Sequence, residues 1–153
     1  MTYVLSPLTD EQAKATTTWA YEGPWSVYDG TGEPMDPADD FWAVIDEAGE
    51  LAGFACFGVE ARVPGLVERP GVLDVGVGMH PDKVGRGRGR DFAAAVLAHG
   101  ARRPGVQTLR VVVQEWNERS RRLVAGLGFT AVRTHEAAGA TYVVYERAVA
   151  EGA

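Results

Sequence analysis

The residues with the clearest chemical capacity form one short segment, His80–Asp91, with the sequence HPDKVGRGRGRD. Glycine lets a backbone take positive φ and approach a ligand closely. Backbone N–H groups at the start of a helix attract anions. The segment also carries four cations: Lys83, Arg86, Arg88 and Arg90. It therefore predicts an anion site, and the alternative is a flexible, solvated basic turn.

Two better-known phosphate loops do not fit this segment. A Walker A loop ends in Gly-Lys-Ser or Gly-Lys-Thr, and the sequence contains neither tripeptide. A dinucleotide fingerprint needs Gly-x-Gly-x-x-Gly. Its third glycine falls on Arg90 when counted from Gly85, and on Pro81 when counted from Gly76. An anion bound here would therefore be held by a different kind of loop.

The flanking sequence predicts the elements that position the segment. Val72–Met79 has a strand pattern and Gly89–Arg102 a helix pattern, so the basic segment opens that helix. Asn117 is a good N-cap for a helix ending near Gly126. Further strands are expected at 2–5, 41–45, 51–59, 109–113, 129–134 and 141–146. A first helix is expected to run from Thr9 or Asp10 to about Trp19. Residues 21–40 and 60–71 are expected to be mostly loop. This order predicts an α/β or α+β domain with a mixed sheet.

Length and charge restrict the class of protein. The chain has 153 residues, which suits one domain, and its net charge of -6 argues against a general nucleic-acid binder. The lone cysteine, Cys56, allows no internal disulfide. No apolar run approaches the roughly 20 residues of a membrane helix. We therefore expect a cytoplasmic protein that binds neither nucleic acid nor membrane.

The strand end and loop resemble the acyl-CoA loop of the GCN5-related N-acetyltransferase (GNAT) family. There, a strand ends in an apolar residue, any residue and proline, and Arg/Gln-x-x-Gly-x-Gly/Ala opens a long helix. Met79-His80-Pro81 matches the strand end, and Val84–Gly89 matches the loop, with Val84 in place of Arg or Gln. A second family pattern matches downstream at Asn117, Ser120, Leu123, Gly128 and Phe129. Together the motifs support the resemblance over residues 72–134.

The resemblance implies a fold and a reaction. The fold is a single domain over residues 1–153, with a mixed, mostly antiparallel central sheet flanked by helices. The reaction is transfer of an acetyl group from acetyl-CoA to a primary amine of a small molecule, peptide or protein, by direct attack in a ternary complex. Pantetheine would lie where two neighbouring strands splay, near Met79 and Val113. No metal is expected, and a homodimer is among the partners that the family suggests.

The resemblance also assigns contacts to CoA. The backbone N–H of Met79 would donate to the thioester oxygen, and one such preorganised donor contributes on the order of 3 kcal/mol. Backbone N–H groups of the loop would hold the pyrophosphate, while the arginines either add charge or remain in solvent. The expected CoA contacts are Val77, Gly78, Met79, Val84, Gly85, Arg86, Gly87, Arg88, Gly89, Arg90, Asn117 and Ser120.

The family's usual acid and base are missing from their positions. The tyrosine position falls on Val124, and a glutamate used by some members falls on Val112. These absences favour a second interpretation, a non-catalytic acyl-CoA-binding or sensing domain. A third interpretation, a plain anion site for a nucleotide, also remains open.

Asp74 is the main candidate for a general base. Strand alternation puts it on a face with two glycines and His80, which close approach of a ligand would explain. The alternative is a structural Asp74 that pairs with an arginine such as Arg62 or Arg69. Glu60 is a weaker candidate base.

Recognition of the acceptor is expected from the variable segment 19–28. Its aromatic side chains would wall a pocket or hold a cation on a ring face, or else cap the core. These candidates are Trp19, Tyr21, Trp25 and Tyr28, and the nearby Asp36, Asp39 and Asp40 suit a cationic amine.

Overall fold

The secondary structure of the computed structural model, which describes residues 2–149, follows the predicted order. The strands are β1 (Val4–Pro7), β2 (Phe41–Ile45), β3 (Leu51–Phe57), β4 (Val72–Met79), β5 (Thr108–Gln114), β6 (Thr130–Ala137) and β7 (Ala140–Ala148). The helices are α1 (Asp10–Thr16), α2 (Gly89–Ala101) and α3 (Glu118–Gly126). Short 3-10 helices lie at Gly23–Tyr28, Pro37–Asp39, Gly58–Ala61 and Pro81–Lys83.

The seven strands form one sheet in the order β1-β2-β3-β4-β5-β7-β6. The β1–β2, β2–β3, β5–β7 and β6–β7 pairs are antiparallel, and β4–β5 is parallel. The parallel ladder covers only Val72–Asp74 and Thr108–Arg110, whereas β5 pairs with β7 along its whole length. The expected mixed, mostly antiparallel sheet is therefore confirmed.

The chain forms two compact units. The first unit contains the residues up to Cys56 together with Val77–Val96, and the second contains Phe57–Gly76 and the residues from Leu97 onward. Strand β4 and helix α2 each contribute residues to both units. The expectation of one domain over residues 1–153 stays a prediction.

Helix α1 begins as the sequence predicts but ends earlier. Thr9 is the N-cap and forms a capping box with Gln12. We expected the helix to reach about Trp19, yet it ends at Thr16. The Thr16 and Thr17 hydroxyls donate to the carbonyl oxygens of Ala13 and Lys14, at 2.8 and 2.7 Å. Such local bonds compete with helix propagation, which accounts for the early end.

Two glycines let β3 and the end of β4 approach closely in the first unit. A Cβ on Gly53 would collide with the Gly78 carbonyl oxygen and with the Phe92 ring. A Cβ on Gly78 would collide with the Phe54 ring. Gly53 therefore lies directly against the backbone of β4, and Gly78 leaves room for the Phe54 ring.

The second unit is built around the β5–β7–β6 ladders. The β6–β7 hairpin turns at Ala138 and Gly139, which have φ of 49° and 79°. Positive φ at both central residues is the signature of a tight two-residue hairpin turn. Within residues 2–149 we find no helix with the length and apolar character of a membrane span.

Candidate functional site

The loop between β4 and α2 has the backbone that its glycines predict. Gly85 and Gly87 take φ of 77° and 73°, and a Cβ on either would meet no atom within 4 Å. Glycine is therefore required here for conformation and not for space. Backbone whose φ alternates in sign can turn successive N–H groups toward a common anion, and α2 begins directly afterwards at Gly89.

A short 3-10 helix that the sequence analysis missed precedes the loop. Pro81–Lys83 forms this turn, and the His80 ring caps it by accepting the Asp82 N–H at Nδ1, at 3.1 Å. The neutral ring must then carry its proton on Nε2. Proline directly after His80 was the available signal, because proline is favoured in the first turn of a helix.

A cavity of about 370 Å³ opens beside this loop within the first unit. Its wall combines cations, carboxylates and aromatic rings. The lining residues are Ala15, Trp19, Glu50, Leu51, His80, Asp82, Lys83, Arg86 and Arg88. The structure therefore brings three of the predicted loop cations to one cavity.

The three cations of the cavity wall are not equivalent. The Lys83 ammonium lies 3.2 Å from Asp46 and 3.4 Å from Glu50, and the hydrogen bond with Asp46 is the main reason that the pKa of Lys83 is raised. Arg86 and Arg88 form no ion pair with a carboxylate within residues 2–149. The two arginines are therefore the cations available to an anionic ligand.

Two of the four aromatic candidates reach the end of β4. Trp19 is buried, lines the cavity and packs against the His80 ring, with centroids 4.9 Å apart. The Tyr21 hydroxyl donates to the Met79 carbonyl oxygen at 2.6 Å. Trp25 and Tyr28 lie in the 3-10 helix Gly23–Tyr28 and are not among the residues that line the cavity.

The Asp74 carboxylate is buried and accepts hydrogen bonds from two guanidinium groups. Its side chain is 1% exposed. Arg110 Nε donates to Oδ1 at 2.6 Å, and Arg62 Nε donates to Oδ2 at 2.7 Å. Arg69 instead pairs with Glu146. The pairing with Arg62 that we offered as the alternative is thus confirmed, and the role of Asp74 as a base stays a prediction that this geometry does not favour.

Packing accounts for the face of β4 that carries Asp74 and Gly78. Asp74 is buried, and Gly78 faces the Phe54 ring, so packing explains that glycine without a ligand. Val77, one of the expected CoA contacts, is half exposed at 50%. Arg110 was not predicted as a partner of Asp74, although a single arginine in the apolar strand TLRVVVQ is itself a signal of a buried partner.

Asn117 and Ser120 lie in the second unit. Asn117 is the N-cap of α3, and its Oδ1 accepts the Ser120 N–H at 3.2 Å. The predicted cap is therefore confirmed, while contact of either residue with CoA stays a prediction. Glu60 lies exposed in the 3-10 helix Gly58–Ala61, also in the second unit, and its role as a base stays a prediction.

The sequence model of the Acetyltransferase (GNAT) domain matches residues 1–130 of the chain. The chain belongs to the GNAT acetyltransferase family. This match extends the GNAT resemblance beyond the motif-bearing residues 72–134 to the N-terminal elements, which carry no motif of their own.

Three GNAT relatives show how far the likeness extends. Mycothiol acetyltransferase of Salinispora tropica is 30% identical over 130 residues, which is 80% of this chain and 40% of that protein. The chain thus spans less than half the length of this relative. A structure described as a GnaT-family acetyltransferase from Bordetella pertussis is 28% identical, with a TM-score of 0.55, covering 70% of this chain and 64% of that one.

The third relative shares the fold over nearly the whole chain. It is the aminoglycoside acetyltransferase AAC(6')-Ib, in a structure with ribostamycin and coenzyme A. The TM-score is 0.78 at 16% identity, and the alignment covers 97% of this chain and 94% of that one. At this identity the likeness establishes the GNAT fold alone.

Proposed function

We propose that the chain is an acetyl-CoA-dependent N-acetyltransferase that moves an acetyl group to a primary amine. The observation that carries the proposal is the loop Val84–Arg90. It combines two glycines of positive φ, the start of α2, and two arginines beside one cavity that form no ion pair with a carboxylate of residues 2–149. Membership of the GNAT family supports the same donor.

The residues of the loop fit a polyanionic ligand. A diphosphate needs several N–H donors and positive charge, and helix starts of this kind supply both. The chain as a whole carries a net charge of -6. The guanidinium groups of Arg86 and Arg88, which no carboxylate in the described part of the chain neutralises, make the loop a local exception. Guanidinium groups bind phosphate oxygens through paired hydrogen bonds. We therefore expect Arg86 and Arg88 to strengthen a contact made mainly by the backbone.

Acetyl-CoA supplies the acetyl group as an activated thioester. The neutral amine nitrogen bonds to the carbonyl carbon, the carbon–sulfur bond breaks, and the electron pair leaves with the CoA thiolate, which takes up the proton that the nitrogen then loses. We assign the Met79 N–H as the donor to the carbonyl oxygen, whose charge grows during attack. Since the Asp74 oxygens already accept from Arg62 and Arg110, we expect the ammonium to lose its proton through water.

We expect the acceptor to be a small molecule. The name of the relative from Salinispora tropica, mycothiol acetyltransferase, points to a small-molecule acceptor in that protein. A cytoplasmic location is part of the proposal, and a chain whose single cysteine, Cys56, is buried is compatible with it. The possible homodimer likewise stays a prediction.

Two measurements test the proposal. Calorimetric titration with acetyl-CoA should show saturable binding that CoA competes for and ATP does not. A thiol-reactive chromophore should then detect CoA release in the presence of at least one member of a panel of small amines. Absence of binding up to millimolar acetyl-CoA would refute the proposal, whereas binding without release by any amine would support the acyl-CoA-binding domain instead.

A further inference from the structure

We propose that Tyr21 is a positioning residue that fixes the end of β4, and that it does not contact the acceptor amine. The inference rests on the proposed function, because it concerns the strand end that would present the Met79 N–H to the thioester. It begins from one contact within the first unit: the Tyr21 hydroxyl donates to the Met79 carbonyl oxygen at 2.6 Å.

The Tyr21 hydroxyl is well suited to remain a donor. Burial, followed by the nearby charge of Asp29, raises the pKa of Tyr21 to about 12. The Tyr21 phenol is therefore neutral at pH values near 7. Because a neutral phenol carries one proton to donate, its hydrogen bond with the carbonyl persists under those conditions.

The peptide that Tyr21 contacts is also held at its other polar group. The Met79 carbonyl and the His80 N–H belong to the same planar peptide unit. The His80 N–H donates to the Ala52 carbonyl oxygen at 2.7 Å, and Ala52 is fully buried on β3. Rotation of the peptide plane would break both hydrogen bonds, so Tyr21 and Ala52 together fix its orientation.

The preceding peptide is fixed by packing. The Gly78 carbonyl oxygen lies so close to Gly53 that a Cβ on Gly53 would collide with it. This carbonyl and the Met79 N–H share a peptide plane. Met79 therefore sits between two immobilised planes, and the direction of its N–H depends on both. Loss of the Tyr21 contact would leave one of them held by the hydrogen bond to Ala52 alone.

The chain around Tyr21 is itself anchored, which a positioning role requires. The Tyr21 N–H donates to Asp29 Oδ1 at 2.7 Å, and the Gly30 N–H donates to the Trp19 carbonyl oxygen at 2.8 Å. The Trp19 ring packs against the His80 ring, one residue beyond Met79. Segment 19–30 is thus closed on itself and attached to the end of β4 through two side chains, Trp19 and Tyr21.

This geometry separates two roles for Tyr21. A tyrosine on the wall of an acceptor pocket would act on the KM for the amine. A tyrosine that orients an oxyanion donor would act on kcat, because only the transition state carries the charge that the donor stabilises. The Tyr21 hydroxyl is already committed to Met79, which supports the second role.

The test compares Tyr21→Phe with wild type. Tyr142→Phe removes a hydroxyl from the half-buried Tyr142 of β7 and is the matched control. By NMR of the free protein, Tyr21→Phe should shift the Met79 carbonyl carbon resonance, and Tyr142→Phe should not. In turnover assays, Tyr21→Phe should lower kcat about tenfold, the effect of one hydrogen bond of ordinary net strength, with both KM values changed less than about twofold.

Asp29→Ala provides a second variant in case Tyr21→Phe folds poorly. It removes the carboxylate that holds the Tyr21 N–H, and we expect the same carbonyl shift and a smaller loss of kcat. The inference is overturned if Tyr21→Phe leaves the Met79 resonance or kcat unchanged. It is also overturned if the KM for the amine rises at constant kcat. These outcomes in an active protein leave the proposed function intact. Wild type that releases no CoA with any amine would overturn the proposed function and the catalytic part of the inference with it.

Discussion

Asp74 and Arg110 are register partners in the parallel ladder of β4 and β5 and form a bidentate ion pair. Arg110 Nε lies 2.6 Å from Oδ1, its second nitrogen lies 3.0 Å from Oδ2, and both side chains are almost fully buried. Arg62 adds a third donor, and Arg110 also donates to the Val67 carbonyl oxygen at 2.8 Å. One buried carboxylate therefore holds two guanidinium groups and links the loop before β4 to the sheet of the second unit.

Replacement of Asp74 by asparagine should destabilise the protein strongly. The substitution leaves two guanidinium groups buried without a counter-charge, and removal of one partner from a buried pair typically costs about 3–5 kcal/mol. Urea unfolding should show a loss of this order. Glu136→Gln, at an exposed position of β6, is the control and should change the free energy of unfolding by less than about 0.5 kcal/mol.

The same variant tests whether Asp74 acts in the chemistry. If its role is structural, kcat per folded molecule of Asp74→Asn should stay near the wild-type value. A well-folded Asp74→Asn protein that binds acetyl-CoA normally but has lost most of its turnover would restore Asp74 as the general base.

Replacement of Gly53 by alanine should also be destabilising. The new methyl group would collide with the Gly78 carbonyl oxygen and the Phe92 ring, and overpacking of this kind typically costs about 1–3 kcal/mol. Thermal or urea unfolding measures the loss. Gly126→Ala, in the exposed last turn of α3, is the comparison and should be neutral or stabilising. Equal stability of the two variants would mean that β3 and β4 are less closely packed than described.

The conformation of the glycine loop should matter for binding more than for folding. Gly87→Ala places a Cβ on a residue of φ 73° with open space around it, so the cost is backbone strain of about 1–2 kcal/mol. If the strained loop is the phosphate site, affinity for acetyl-CoA should fall about tenfold by calorimetry. Gly105→Ala introduces the same strain at φ 80°, also in open space, within a loop of the second unit. It should cost stability without lowering the affinity, and equal affinities of the two variants would argue against the loop as the phosphate site.

Protonation of Asp46 should contribute to the loss of folding stability at low pH. Hydrogen bonding from the Glu50 N–H, together with Lys83, lowers the pKa of Asp46 from its ordinary value of 3.8. A carboxyl group with a depressed folded-state pKa stabilises the fold above its unfolded pKa, and this contribution is lost as the pH falls through the folded pKa. Asp46→Asn should therefore be less stable than wild type at neutral pH, and urea unfolding should show the difference shrinking below pH 3.8. If the difference in unfolding free energy between wild type and Asp46→Asn instead grew as the pH falls, a lowered pKa of Asp46 could not explain it.

Local signals in the sequence predicted much of the fold. The bounds of β2 and β4, the start of α2 and the Thr9 and Asn117 caps agree with the structure, because alternation, glycine and capping side chains act over a few residues. Helix α1 was predicted too long because three successive threonines can bond to the backbone in either conformation.

The environment of Asp74 could not be predicted from its own strand. Alternation places the residue on a face, but the face becomes buried through Arg62, 12 residues before it, and Arg110, 36 residues after it. The contact of Tyr21 with Met79 spans 58 residues in the same way. Pairings of this kind depend on which strands and loops become neighbours, which no local pattern encodes.

Transfer of the acetyl group to an amine is tested most directly by following the acetyl group itself. Wild-type protein is incubated with acetyl-CoA that carries an isotopically labelled acetyl group and with a panel of small primary amines, and the products are analysed by mass spectrometry. We expect at least one amine to gain the labelled acetyl group on nitrogen, with an equal amount of free CoA. Folded protein saturated with acetyl-CoA that transfers no label to any amine would contradict this expectation.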